Sequence, residues 1–453
     1  MQDNGDRDHQ NEFIEAVRAI SALDAWNYWD IDPTAARNLL AQLFRALSRA
    51  PQLLRINRVE GYHESALHLR VQQIGRGLET PHGSFWPDFD NASPENTFDA
   101  AFLAMRMLDE DLALQPTVFM SATLHDFETE AGYFVVPCRK IAKGRDRLRG
   151  QGLYRRGLLH HRIAPMQHDG VRLCLHVHPD VRLRPDHLPP RRKVGAAVFP
   201  TVDLVTQQSK THGPGSFLVT GLSCTPSQEE AVIEQCQRAV ADLCDTLIWP
   251  ELTMPPERVT QVRALLGQTP LKGERPPVVV AGSWHVPCGQ QIRNRSEILD
   301  GRGERLFWFD KCLAYLERRD PYGDVEGIDH GSAVQLLLAE DELIVFQICL
   351  DFCHVEREAL LKACDASLVI VPSMGNFVTL EAHRARAEVL QTSNNTRTVV
   401  VQQRYGTDDV SEIETIGYIL RGVTKPRNIE NKDIFTSELF SSFYTEGDER
   451  TEL

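Results

Sequence analysis

Three apolar runs in the second half of the chain each end in a residue able to do chemistry. "LIWPE" ends in Glu251, "LFWFDK" in Lys311 and "VFQIC" in Cys349. A carboxylate can take the proton of a thiol, so that the sulfur attacks a carbonyl carbon. An ammonium can hold the oxyanion that forms. The thioester is then hydrolysed by a water that the same carboxylate activates. Acid, amine and thiol make one coherent set, provided the fold brings them together.

Each residue alone has a plainer reading. A cysteine closing an apolar strand usually packs in a core. A strand-end glutamate or lysine is often only solvated. The stretch "FQICLDFCHVE" also puts Cys353 and His354 near Cys349. A structural zinc site would need four ligands in close-set pairs, and the chain has no second close-set cysteine pair. "CLHVH" sets Cys174, His176 and His178 at alternate positions, which is one face of a strand but also what any two-sided strand shows. Neither metal nor cofactor is expected. A disulfide between Cys349 and Cys353, four residues apart on a turn, has poor geometry.

The elements that must hold these residues are legible in outline. At 453 residues the chain is too long for one ordinary core, so two domains are expected. Phe13, Val17 and Ile20, then Leu40, Leu43 and Leu47, recur at helical spacing within residues 11–50. Asp32 before Pro33 is a good cap and first-turn pair for the second of these helices. "AGYFVVPCRK" and "DGVRLCLHVHPDVRLR" read as strands. The proline-rich, basic run "RPDHLPPRRK", residues 184–193, is the best boundary.

Beyond it "VGAAVFPTVDLV", "DTLIWPE", "PPVVVAGSWHV", "ELIVFQICLDF", "ASLVIVPSM" and "RTVVVQQR" each read as a strand. "TPSQEEAVIEQCQRAVADLC" reads as a helix with Thr225 and Gln228 as a capping box around Pro226. "EREALLKACD" and "LEAHRARAEVLQTSNN" are further helices. Strands alternating with helices predict a layered α/β domain, and such folds build sites at strand ends.

Composition narrows the function classes. Lys and Arg total 49 against 63 Asp and Glu, for a net charge of −14, which argues against a nucleic-acid surface. A local basic run does stand between Arg139 and Arg162. No stretch approaches the roughly 18 apolar residues of a membrane span. The polar start "MQDNGDRDHQ" carries no export signal, and ten cysteines without a framework read as reduced thiols, so a cytoplasmic place is expected.

From residue 193 to about 405 the pieces occur in an order that resembles the nitrilase (carbon–nitrogen hydrolase) superfamily. "DTLIWPELTMP" is similar to that family's glutamate motif. "VVVAGSW" with "RNRSEILDGRGERLFWFDKCL" is similar to its strand, asparagine-containing turn and lysine motif. "VFQICLDFCHVE" is similar to its cysteine motif, with Asp351 and Glu356 at the places two and seven residues on. "CDASLVIVPSMGNF" and "HRARAEVLQTSNNTRTVVVQQ" follow as the next strand and helix.

The resemblance implies a four-layer αββα sandwich in residues 191–425. Residues 1–190 would be a mixed, mostly helical N-terminal domain, and 426–453 an acidic tail with "EGDERTEL" disordered. It implies Glu251 as general base and acid, Lys311 as oxyanion stabiliser, Cys349 as nucleophile and the Leu350 N–H as second oxyanion donor. For the family's second glutamate Glu317 is preferred over its rival Glu326. Leu350 and Asp351 stand where true nitrile hydrolysers carry tryptophan and glutamate, so the reading is an amidase acting on a small-molecule amide. A homo-oligomer is expected, with residues 1–190 available to a protein partner. The alternative is a regulatory or defence-associated module whose activity depends on a partner or on the N-terminal region.

Overall fold

The structure, a computed structural model, describes residues 3–23, 26, 32–60, 69, 71, 86–114, 121–138, 158–183, 192–199, 201–225, 227–267, 275–316, 324–404, 413–420, 432–438 and 443–446. The basic run at 139–157 lies outside them, as do 447–453 of the acidic end.

Among the described residues the first helices are α1 (Asp3–Ser21), α2 (Pro33–Arg49), α3 (Gln52–Glu60) and α4 (Pro94–Leu114). Asp32 caps α2 as expected, accepting the N–H groups of Thr34 and Ala35. Phe13 and Val17 of α1, Leu40, Leu43 and Leu47 of α2, and Phe98, Phe102 and Met105 of α4 share one core. A ribbon of β1 (Tyr133–Pro137) and β2 (His161–Pro165) borders it. Period-two alternation splits the ribbon's side chains. Val135 and Ile163 join the helical core, while Phe134, Val136 and Ala164 join the core of the sheet beyond.

The remaining elements are β3 (Gln167–His168), β4 (Val171–Val177), β5 (Val194–Ala197), β6 (Thr201–Gln208), β7 (Ser216–Thr225), α5 (Gln228–Ala241), β8 (Thr246–Trp249), α6 (Pro256–Gly267), β9 (Val278–Ala281), β10 (Trp284–Cys288), β11 (Gln291–Leu299), β12 (Arg305–Asp310), β13 (Val325–Glu326), β14 (Ala333–Ala339), β15 (Glu342–Phe346), α7 (Leu350–Cys353), α8 (Glu358–Cys364), β16 (Leu368–Gly375), α9 (Phe377–Asn394), β17 (Arg397–Arg404), β18 (Ile413–Leu420), β19 (Lys432–Glu438) and β20 (Phe443–Glu446).

They form two large sheets. One runs β10-β11-β9-β8-β5-β20, with β12 also on β11; the other runs β19-β18-β17-β16-β15-β14-β4-β3. Ile248, Val280 and Ile298 of the first meet Ile344, Ile370 and Val399 of the second in a shared core. The alternate residues face outward onto helices. Leu247, Trp249 and Val279 pack with Val232 and Cys236 of α5 and Val262 of α6, while Val369 and Val371 pack with Leu361 of α8 and Leu380 of α9.

Several sequence expectations change here. "VGAAVFPTVDLV" is two strands, and β6 pairs with β7 as a long hairpin that joins β13 in a third sheet. "PPVVVAGSWHV" breaks at Gly282, whose φ of +59° and closeness to the Pro250 carbonyl (a Cβ would lie 2.7 Å away) exclude other residues. Helix α5 is capped by Ser227, which accepts the Glu230 N–H, and not by the Thr225–Gln228 box.

The proline-rich run at 184–193 does not separate the sheets. Strand β4, which precedes it, pairs in parallel with β14 from Arg172 to Val177. The region expected as an acidic tail contributes backbone pairing through β19 to β18 and β20 to β5. Proline punctuates local backbone, whereas strand pairing is non-local and leaves no mark at the break. Among the described residues no helix is long and apolar enough to cross a membrane.

Candidate active site

Glu251 follows β8 after Pro250, and Lys311 follows the last residue of β12. Strand β15 ends at Phe346, yet the chain stays docked on β16. The Gln347 N–H donates to the Ile370 carbonyl at 3.1 Å and the Cys349 N–H to that of Pro372 at 3.0 Å. Cys349 then turns sharply, with φ +45° and ψ −108°, into α7. A positive φ is unusual for a residue with a Cβ, and the β16 register holds it there.

Lys311 is buried between two carboxylates. Its Nζ donates to Glu251 Oε1 at 2.8 Å and to Glu326 Oε2 at 2.7 Å. Asn294, inside β11 and not in a turn, donates through Nδ2 to Glu251 Oε1 at 3.0 Å and Glu326 Oε1 at 2.8 Å. Glu326 Oε1 also meets His285 Nε2 at 2.9 Å, and its Oε2 accepts the Tyr315 N–H at 2.9 Å. Glu251 Oε2 accepts the Met374 N–H at 3.1 Å. The Met374 carbonyl in turn lies 3.5 Å from Cys349 Sγ. Met374 is therefore touched by both Glu251 and Cys349, so the three residues singled out in the sequence meet in one place.

The two carboxylates are not equivalent. A carboxylate offers about four lone-pair sites. Glu326 has two donors on each oxygen, so it is filled and can only serve as a fixed anion. Glu251 has two donors on Oε1 but only one on Oε2, which leaves that oxygen open to a proton. Lys311 spends two of its three N–H donors and keeps one.

Burial opposes the Lys311 charge, but the Glu251 and Glu326 carboxylates outweigh it and hold the ammonium well above the ordinary lysine range. Burial also opposes the Glu326 charge, and Lys311 with the His285 bond drives that carboxyl far below its usual range. For Cys349 burial wins. With the Glu251 charge it pushes the thiol well above the ordinary range, against Lys311 and a hydrogen bond with Ser373. The resting sulfur is a thiol, so its use as a nucleophile would require a base to take the proton.

Cys349 is buried in the core shared by the two sheets, with the Ser373 hydroxyl beside it. Ser373 Oγ lies 2.9 Å from His383 Nε2 and 3.4 Å from Gln402 Oε1. Burial drives His383 down to about 3, so its ring is neutral. Asp351 sends Oδ1 and Oδ2 back to the backbone after Lys311, and burial pushes its carboxyl up to about 7.

Some expected residues fall elsewhere. Glu317 lies outside the described residues, and the carboxylate found on Lys311 is its rival, Glu326. Glu356, seven residues after Cys349, is exposed. Cys353 sits one helical turn on, with Sγ 3.9 Å from the Leu350 carbonyl. His176 stacks on Phe307 at 4.0 Å and meets Gln335 Oε1 at 2.8 Å. His285 and Ser373–His383 were not anticipated. The one available signal was a histidine and a serine in strands beside the motif residues.

No family model matches the chain, and no curated protein does. Solved structures do. Glutamine-dependent NAD+ synthetase from Acinetobacter baumannii is 18% identical with a TM-score of 0.37, over 56% of this chain and 45% of that one. This chain thus spans less than half of the synthetase. The NitN amidase from Neterenkonia sp. AN1 is 15% identical with a TM-score of 0.36, over 56% and 92%. Nit3 of Saccharomyces cerevisiae, a member of branch 10 of the nitrilase superfamily, is 14% identical with a TM-score of 0.37, over 56% and 89%. Each of these likenesses takes in about half of this chain.

Proposed function

We propose that this chain is a carbon–nitrogen hydrolase of the nitrilase superfamily, with its two sheets and outer helices forming the four-layer αββα sandwich of that fold. It cleaves a non-peptide amide through a thioester on Cys349. The observation that carries the reading is the buried Lys311 ammonium pinned between Glu251 and Glu326, with Met374 joining Glu251 to Cys349.

The steps follow from the free valences. Glu251 Oε2 takes the thiol proton as Sγ bonds the amide carbon. The remaining Lys311 N–H and the N–H of Leu350, which opens α7 and has no partner within its helix, hold the oxyanion. The C–N bond breaks as Glu251 returns the proton to the leaving amine. Glu251 next takes a proton from water, the hydroxide attacks the thioester, the acid leaves, and the proton returns to Cys349. Glu326 keeps Lys311 and Asn294 in place throughout. Amidase is preferred to nitrilase on the Leu350–Asp351 sequence after the nucleophile. The same reading implies a cytoplasmic homo-oligomer, for which exposed Phe377 and Val378 at the start of α9 are the candidate contact. Residues 1–190 are the candidate surface for another protein.

The test is ammonia release from small aliphatic amides and their matching nitriles by the full chain. Release from amides that disappears in Cys349→Ala is expected. Undiminished release in Cys349→Ala, or turnover of nitriles only, would overturn the assignment. No release from any of them would favour the partner-dependent regulatory module.

A further inference from the structure

We propose that His285 is a positioning residue for Glu326, and that the β6–β7 hairpin fixes the tautomer in which it works. The proposal rests on the hydrolase reading above and adds to it a residue and an element outside the glutamate–lysine–cysteine set.

The geometry is specific. His285 lies in β10 and its side chain is buried. Its Nδ1 accepts the Val219 backbone N–H at 2.9 Å. The ring proton must then sit on Nε2, where it is donated to Glu326 Oε1. A proton on Nδ1 would set two N–H groups against each other. Val219 belongs to β7, so the hairpin decides which nitrogen faces the carboxylate.

The hairpin grips Glu326 a second time through its backbone. Strand β13 runs parallel to β7 with Glu326 opposite Phe217, and the Gly327 N–H donates to the Phe217 carbonyl at 2.8 Å. Val219 also packs with Leu252, Trp284 and Met374, which are the neighbours of Glu251 and His285 and the residue both Glu251 and Cys349 touch. One hairpin therefore fixes the side chain and main chain of the fixed anion and borders the rest of the site. The second shared carboxylate needs this, because Lys311 can direct its remaining N–H at a reacting oxygen only if both of its partners hold still.

Two variants separate the two bonds. In His285→Asn the side-chain oxygen reaches the Nδ1 position and can accept the Val219 N–H, but nothing reaches Glu326. In His285→Gln the amide reaches the Nε2 position and can donate to Glu326, but the Val219 N–H is left open. The readout is the rate of Cys349 alkylation by iodoacetamide on the full chain, mapped by peptide, with Cys353 as the internal reference and a thermal melt alongside. His285→Asn should slow Cys349 by about tenfold, the effect of one lost charge-assisted bond, while His285→Gln stays within about threefold of wild type. Cys353 should not change in either.

Equal slowing in both variants with equal loss of melting temperature would make His285 merely structural and overturn the proposal. So would a fast wild type with both variants unchanged, and the hydrolase reading would survive. A wild-type Cys349 no faster than Cys353 would overturn both.

Discussion

Asp351 Oδ2 accepts the Cys312 backbone N–H at 2.8 Å, and its Oδ1 accepts that of Leu313 at 2.8 Å. One carboxyl thus fastens the segment just after Cys349 to the segment just after Lys311. A shift of either would move both.

That carboxyl and the His383 ring give the fold two opposed dependences on pH. Burial lifts Asp351 to about 7, so its contribution is present below the ordinary carboxylate range near 4 and is lost as pH rises through about 7. Burial lowers His383 to about 3, so its contribution is present above the ordinary histidine value near 6.5 and is lost as pH falls toward 3. The slopes oppose one another over the same window. Asp351→Asn should be less stable than wild type at pH 5, by about 1–3 kcal/mol for the amide set against a backbone N–H, and the gap should narrow by pH 8. His383→Gln should instead flatten the fall toward acid. Melting temperatures at several pH values check both; a gap that stays constant would contradict the assignment of these groups.

The φ of +45° at Cys349 reverses a usual order of stabilities. Glycine normally weakens an ordered segment relative to alanine. At this position Cys349→Gly should melt no lower than Cys349→Ala, with an advantage of about 1 kcal/mol from relieved strain. Both should be inactive, so the comparison is read by denaturation alone.

Glu251 and Glu326 both bond Lys311, yet their amide variants should differ. In Glu326→Gln the new NH2 faces two donors whichever way the side chain turns. In Glu251→Gln it can take the Oε2 position and oppose only the Met374 N–H. Glu326→Gln should therefore cost more stability, about 3 kcal/mol or above for a broken buried pair. Glu251→Gln should fold and lose about 10²–10⁴-fold in turnover, the share of general acid–base catalysis. Chemical denaturation and ammonia release together measure the contrast.

The residues most legible in the sequence were those whose meaning is local. Glu251, Lys311 and Cys349 each close an apolar run, and α1 and α2 show their faces by spacing. Glu317 comes before Glu326 on sequence alone because its Glu-Arg step and the later glycine fit a family pattern with a one-residue gap. The true place of Glu326 is set by β13 pairing with β7, far earlier in the sequence. His285 and Asn294 sit inside strands, where alternation reveals the face but not the neighbour. The capping error at α5 has a simpler cause: Thr225 and Ser227 flank one proline, and either could start a helix on composition alone.

Strand β4 lies on the N-terminal side of the proline-rich run but takes its partner, β14, from the far side. The two halves are therefore not beads on a string that could be traded separately between proteins. Excision at residue 190 would strip β14 of a neighbour along its length and leave an open, apolar ladder edge, which invites self-association.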